Sequence, residues 1–258
     1  MSHQQLYLVE DGFLYYGAHK ENDYHHHYTL QLSIGIEELV VIKSPDKFIK
    51  AEGIYTPSKV IHRLSSAAPA FVLLLFPTSL LANYCQQHFS SEGIQELPTE
   101  LCQELAAIGR HIQKQTRTTK EILEAYSQWR KKYLVPHSDV TTRGVDINYL
   151  LDWTAAIAKQ PVPQKEAADI IHSSVIHFLD LFKKELGIPY NKFLEMNRIA
   201  STYEQQGKIK EKELVTWAQA AGFRDSRRLK LAIRELFGWP IELLLEKNYH
   251  NYQAYRRR

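Results

Sequence analysis

Ala220-Ala221-Gly222-Phe223, and the amphipathic run that follows it to Phe237-Gly238-Trp239-Pro240, is the stretch on which the reading of this chain turns. Gly222 supplies a turn at a place where a Cβ is costly. Before it, Leu214, Val215, Ala218 and Ala221 give one helix a buried side; after it, Leu229, Ala232, Ile233 and Leu236 give a second helix an inner stripe. Phe223 is placed to plug the space between them. A fainter copy lies 51 residues upstream, where Phe178, Phe182, Lys183 and Leu186-Gly187-Ile188-Pro189 stand in for Leu229, Ile233, Arg234 and Phe237-Gly238-Trp239-Pro240. There Ala167, Ala168 and Ile171 fit the supporting helix, Ser174 its successor's N-cap, and Phe178, Leu181, Phe182 and Leu186 the inner stripe.

A chain of 258 residues exceeds what one small core usually organises, so two domains are expected. From Asp146 onward there are 18 Lys+Arg against 14 Asp+Glu, and before it 14 against 15, so the positive excess accompanies the repeated helix pair. Cys85 and Cys102 are the only cysteines, which argues against a disulfide framework or a zinc finger. No charged stretch leading into an apolar one opens the chain, and the longest apolar run, Ala67 to Phe76, contains Pro69 and is too short to span a bilayer. We therefore expect a cytoplasmic protein with no membrane partner. Nothing matches a hydrolase elbow, a P-loop or a dinucleotide fingerprint, so no enzyme is expected and no catalytic residue is assigned.

Up to about Phe76 the sequence reads as short strands. Leu30, Leu32, Ile34 and Ile36 alternate with Thr29, Gln31, Ser33 and Gly35. Leu39 to Ile42 stops at Ser44-Pro45-Asp46, and Phe48 to Tyr55, Val60 to Leu64 and Phe71 to Phe76 complete a set suited to a small antiparallel barrel or sandwich. Helical spacing follows at Leu80 to Phe89, Leu101 to Ile112 and Thr119 to Tyr133. These helices either cover the barrel or serve dimerisation. Pro136-His137-Ser138-Asp139 and Thr141-Thr142-Arg143-Gly144 read as a linker, dividing the chain into domains 1–135 and 146–258.

In a helix-turn-helix the second helix lies in the major groove with its amino-terminal residues at base edges. The downstream copy offers Arg224, Ser226, Arg227, Arg228, Lys230 and Arg234 to bases and phosphates. The upstream copy offers Ser174, Val175, Ile176 and His177, with Leu179 and Asp180 also outward, and Asp180 is repelled by phosphates. Together, the glycine-phenylalanine turn and the Phe-Gly-x-Pro ending resemble the double helix-turn-helix domain of AraC/XylS-type transcription regulators. Tyr190 to Gln206 is similar to that family's connecting helix, with Phe193, Leu194, Arg198 and Ile199 at matching places and Gln205-Gln206 where a Leu pair is usual. A connector of this kind sets two recognition helices roughly 34 Å apart, in successive major grooves.

The resemblance extends to the amino-terminal half, where Tyr24-His25-His26-His27-Tyr28 and Tyr55-Thr56-Pro57-Ser58-Lys59-Val60-Ile61-His62 are similar to a cupin-type sensor barrel. It implies an α+β protein: a cupin-like β-barrel with covering helices, then an all-α domain of two helix-turn-helix units joined by a connecting helix. It also implies a small-molecule effector bound by His25, His27, Gln31, Tyr55 and His62, with double-stranded DNA, a second copy of the chain and RNA polymerase as partners. Period two puts His25 and His27 on one strand face. In metal-binding cupins such a pair and a later His hold the ion, and Glu37 or Glu38 would be the fourth ligand. Lys59 replaces the glycine usual there, and no metal or other cofactor is expected. The competing readings are a metal-dependent cupin enzyme and a degenerate relative acting through protein contacts.

Overall fold

The computed structural model describes residues 5–18, 23–66, 68–133, 162–206, 213–238 and 240–241. The expected linker at Pro136 to Gly144, the start of the second domain at Asp146, Trp239 and the basic tail Arg256-Arg257-Arg258 lie outside them.

Alternating and fully apolar segments in the first 76 residues become eight strands: β1 (Gln5–Val9), β2 (Gly12–Gly17), β3 (Leu30–Gly35), β4 (Val40–Lys43), β5 (Phe48–Ala51), β6 (Gly53–Thr56), β7 (Arg63–Ser65) and β8 (Ala70–Leu75). With β9 (Gln95–Glu96) they make a six-stranded sheet in the order β1-β2-β8-β3-β6-β9 and a three-stranded sheet in the order β5-β4-β7. All pairings are antiparallel. The expected α+β class holds, but the described strands form two packed sheets and not one closed barrel.

Two sequence expectations about strands need correction. Phe48 to Tyr55 is not one strand, because the chain bends at Glu52 and crosses from the small sheet to the large one. Gly53 makes this possible: a Cβ there would lie 2.4 Å from Cys102 Sγ. Only Arg63 and Leu64 of the Val60 to Leu64 run are strand, at the start of β7, since Pro57 to Val60 turns and His62 forms an isolated bridge with His25. The β1–β2 hairpin was not singled out, although Asp11-Gly12 between apolar runs is a hairpin signal.

Both faces of the large sheet are buried. Tyr7, Leu14, Leu30, Leu32, Ile34, Tyr55, Phe71 and Leu73 pack under α1 (Leu80–His88), α2 (Thr99–Gln113) and α3 (Thr119–Lys131). So these helices do cover the sheet. A capping box of Thr118 and Glu121 starts α3. Its Arg130 holds Asp11 in the β1–β2 turn, Nε to Oδ2 at 2.5 Å and Nη2 to Oδ1 at 3.0 Å, while the Tyr126 hydroxyl donates to Oδ2 at 3.0 Å. The opposite face, with Leu6, Leu8, Phe13, Tyr15, Val72 and Leu74, meets Val40, Ile42, Ile49 and Leu64 of the small sheet.

Among the described residues the carboxy-terminal helices are α4 (Gln164–Ile170), α5 (Val175–Leu186), α6 (Tyr190–Gln206), α7 (Leu214–Ala220) and α8 (Ser226–Phe237). The repeat read in the sequence is real in space, since α5 and α8 both end on a left-handed glycine, Gly187 at φ 68° and Gly238 at φ 71°. The inner stripes are buried as expected, except that Leu181 is half-buried. One supporting-helix residue is misassigned: Val215 is exposed and the stripe is Leu214, Trp217, Ala218 and Ala221, an i, i+3, i+4, i+7 series. On α6, Met196 and Tyr203 join Phe193 and Ile199 in the core, whereas the side chains of Gln205 and Gln206 lie outside the described residues.

The two halves share a core. Phe13 of β2 meets Tyr203 of α6 at 5.6 Å and Phe237 of α8 at 5.2 Å between ring centroids, both edge to face, and Phe76 joins them. Each aromatic ring buried here contributes roughly 1.5–3 kcal/mol. The amide of Thr29 also donates to the Leu236 carbonyl at 3.3 Å. Thus the carboxy end of α8 is fastened to the open end of the sandwich.

Candidate nucleic-acid interface and histidine cluster

At α8 the local sequence separates the two helix ends. Asp225 is the N-cap, its carboxylate accepting from the Arg228 amide at 2.8 Å. That cap went unassigned in the sequence, although Asp before an apolar-periodic run is a start signal. Around it Arg224, Arg227, Arg228 and Lys230 are exposed and Ser226 is half-buried. Arg224, Arg227 and Arg228 border a cleft of about 470 Å³ with Arg198 of α6, whose guanidinium lies 5.6 Å over the Phe223 ring. Four guanidiniums thus share one surface at a helix start with the carboxylates of Glu195 and Asp225, and their excess positive charge suits a phosphate backbone. Arg234 belongs elsewhere. It sits near enough to His25 to disfavour that ring's protonation, at the end of α8 that meets the sandwich.

The start of α5 differs. Ser174 accepts from the His177 amide at 3.3 Å, so its hydroxyl is engaged as N-cap. Val175 and Leu179 turn inward against the core, because the α5 stripe is wider than assumed. Ile176, 76% exposed, His177 and Asp180 face outward.

Of the expected effector residues, the structure brings four together and parts one from them. His25, His27 and His62 cluster with ring centroids 4.7 to 5.7 Å apart, held by main-chain bonds of 2.9 and 2.8 Å between residues 25 and 62. Gln31 adjoins them: its Oε1 is 3.2 Å from His27 Nε2, and its Nε2 donates to Ser33 Oγ at 2.8 Å. Tyr55 points the other way. It pairs with Leu32 on the helix-covered face, 5.1 Å from the Phe89 ring, so it is Thr56, opposite Gln31, that joins the inner polar strip. Thr56 went unassigned, although the alternation that placed Tyr55 puts its neighbour on the other face. Thr56 Oγ1 and His62 Nε2 are buried with no hydrogen-bond partner.

Glu37 and Glu38 are also misplaced by the sequence reading. They follow the far end of β3 and line a separate cleft of about 610 Å³ with Lys50, Glu52, Cys102 and Arg110, so neither completes the histidine cluster. Burial disfavours the charged form of all three imidazoles. It pushes His27 down to about 4 and His62 well below its ordinary value, each helped by the neighbouring rings. His25 is lowered by burial too, against the opposing pull of the Asp23 carbonyl. Lys59, in the place of the expected glycine, has φ 63° and donates its amide to the His27 carbonyl at 2.8 Å. The backbone therefore keeps the left-handed form that glycine favours, at a cost of roughly 1 kcal/mol.

No family model matches the sequence, and no curated protein matches it. Solved structures do. ToxT from Vibrio cholerae O395 is 8% identical, with a TM-score of 0.50 over 93% of this chain and 96% of that one. The apo form of a lysine-to-alanine ToxT variant from Vibrio cholerae strain SCE256 is 10% identical, with a TM-score of 0.53 over 89% and 95%. The AraC-like transcriptional activator CuxR aligns over 75% of this chain and 77% of its own, at 9% identity and a TM-score of 0.37. The chain thus has the fold of ToxT over nearly its whole length, amino-terminal sheets and carboxy-terminal helices together.

Proposed function

We propose that this protein is a sequence-specific, DNA-binding transcription regulator of the AraC/XylS type, with residues 1–135 as sensor and 146–258 as DNA reader. The observation that carries the reading is the α8 start, where Arg224, Arg227, Arg228 and Lys230 surround an exposed helix amino terminus within a repeated helix-turn-helix. Arg227, Lys230 and Ser226 read bases, while Arg224, Arg228 and Arg198 hold phosphates. At α5, Ile176 and His177 reach the groove, and Ile176 suits a thymine methyl. The shared fold with ToxT supports the same assignment.

The sensor half answers a small molecule through the polar strip of His27, Gln31, Ser33 and Thr56, whose buried orphan hydroxyl at Thr56 awaits a partner. Because α8 is fastened to the end of that strip, an effector that alters the contact alters the set of α8. It acts only to the extent that it binds the two arrangements with different affinity. The regulator works in the cytoplasm as a homodimer that engages RNA polymerase, and has no catalytic activity. Among the described residues no helix is long and apolar enough to cross a membrane.

Selection of bound duplexes from a random library by the purified protein tests the assignment. The expected result is an enriched motif in two parts about one helical turn apart. No enrichment at any salt concentration would overturn it.

A further inference from the structure

We propose that His25, His27 and His62 form a binding site for a divalent transition-metal ion, Zn²⁺ in the first instance, beneath the end of the α8 helix. One ring nitrogen of each lies within 4.8 Å of the others. The rings are aimed by their far sides. Nδ1 of His25 meets the Asp23 carbonyl at 2.9 Å and Nδ1 of His62 meets the Val60 carbonyl at 2.8 Å. A carbonyl only accepts, so in both rings Nδ1 carries the proton and Nε2 presents its lone pair. His27 Nδ1 has the same kind of partner in the Thr29 carbonyl at 2.8 Å. This is the arrangement in which metal-ligating imidazoles are usually held.

The inner side explains why an ion fits. His62 Nε2 is buried with no partner. His27 Nε2 lies 3.2 Å from the Gln31 oxygen, and its Nδ1 lies 2.9 Å from the Thr29 hydroxyl as well as 2.8 Å from the Thr29 carbonyl. A cation here gives the His62 lone pair the partner it lacks, and Gln31 Oε1 supplies an oxygen donor beside three nitrogens. Zn–N bonds of about 2.1 Å put the nitrogens of a tetrahedral site roughly 3.4 Å apart, so the widest pair closes by little more than about 1 Å. Imidazole donors with no carboxylate favour Zn²⁺, Co²⁺, Ni²⁺ or Cu²⁺ over Ca²⁺ and Mg²⁺.

The position gives the site its interest. A Cβ on Gly238 would lie 2.5 Å from His27 Cδ2 and 2.8 Å from His25 Nε2, so the C-cap of α8 rests on the rings themselves. An ion here ties the 25–27 segment to His62 directly under that cap. This inference does not rest on DNA binding.

The test uses full-length protein stripped with a chelator and titrated with ZnCl₂ against a chromophoric chelator, with circular dichroism to check folding. We expect one tight Zn²⁺ per chain, weakened more than about 100-fold in His25→Ala and His62→Ala, beyond the 10–100-fold typical of an outer partner. His26→Ala, an exposed neighbour, and His3→Ala should bind as the unaltered protein does. Should the buried His62 variant not fold, Co²⁺ added to the unaltered protein gives an independent reading through the visible bands of a tetrahedral site, abolished by Zn²⁺. Absence of stoichiometric binding, or binding indifferent to His25→Ala, would overturn the proposal.

Discussion

The two helix pairs of the carboxy-terminal half share a plan and differ in surface and in anchorage. From Phe223 to Pro240 there are five basic and two acidic residues, with four of the basic ones in or beside the first turn of α8; from Ser174 to Pro189 there are two of each, and both lysines lie in the last turn of α5. The ends differ as well. A Cβ on Gly187 would meet nothing within 4 Å, whereas Gly238 is pressed against two histidines. One helix pair thus carries the charge and is fastened to the strands of the amino-terminal half; the other is nearly neutral and carries an exposed isoleucine. The same local grammar of stripe, turn and left-handed cap builds both, so fold and function vary independently within one chain. Specific affinity should therefore come mainly from α8, and control should act on it most directly.

The largest expected effect is on α8. Replacing Arg227 and Lys230 together by Ala should weaken specific binding by about 2–6 kcal/mol, from roughly 1–3 kcal/mol per base contact, with circular dichroism unchanged. Equal losses from Ile176→Ala and His177→Ala in α5 would break the asymmetry. Acid should next loosen the fastened end. His27 has its pKa depressed in the folded state, so the unfolded chain binds more protons, and stability present above pH 6.5 is lost as pH falls toward 4. A depression to about 4 corresponds to on the order of 3 kcal/mol at full burial. Melting temperature of metal-free protein against pH checks it, and His27→Gln should flatten the profile in that window.

Glycine caps offer a closer comparison. Gly238→Ala combines left-handed strain with collision against His25 and His27, and should cost about 2–3 kcal/mol; Gly187→Ala has the strain alone, about 1 kcal/mol. Equal costs in urea unfolding would mean that the α8 contact with His25 and His27 contributes nothing. Smallest is Asp180→Asn, which removes a charge that phosphates repel. It should raise affinity only a few-fold, equally for all sequences. A change in sequence preference would show instead that α5 reads bases at that position.

Much of this was legible in the chain because it depends on local rules. Periodicity placed α1, α2, α3, α5 and α8 within a few residues, and the shared Gly-x-Pro ending exposed the repeat. Errors arose where neighbours decide. Val215 and Trp217 both fit a helical stripe near Ala218, and only contact with the rest of the unit selects the tryptophan. The alternation of Leu32 with Gln31 and Ser33 separates an apolar from a polar face, and the polar face continues that of His27 as the lining of a pocket. Here both faces are inside, since helices cover one and the second sheet covers the other. A polar face can be buried so only because His27, Gln31 and Ser33 satisfy one another.

By itself, then, the sequence determined the classes of element, the two-fold helix-turn-helix, and which helix pair holds the arginines, because periodicity, capping and charge are properties of neighbours along the chain. Tertiary structure alone decided that Tyr55 leaves the histidines, that Arg234 lies near His25, and that Gly238 closes over His25 and His27. The last two outcomes depend on residues more than 200 positions apart meeting at an interface, and such meetings leave no periodic trace in the sequence of either partner.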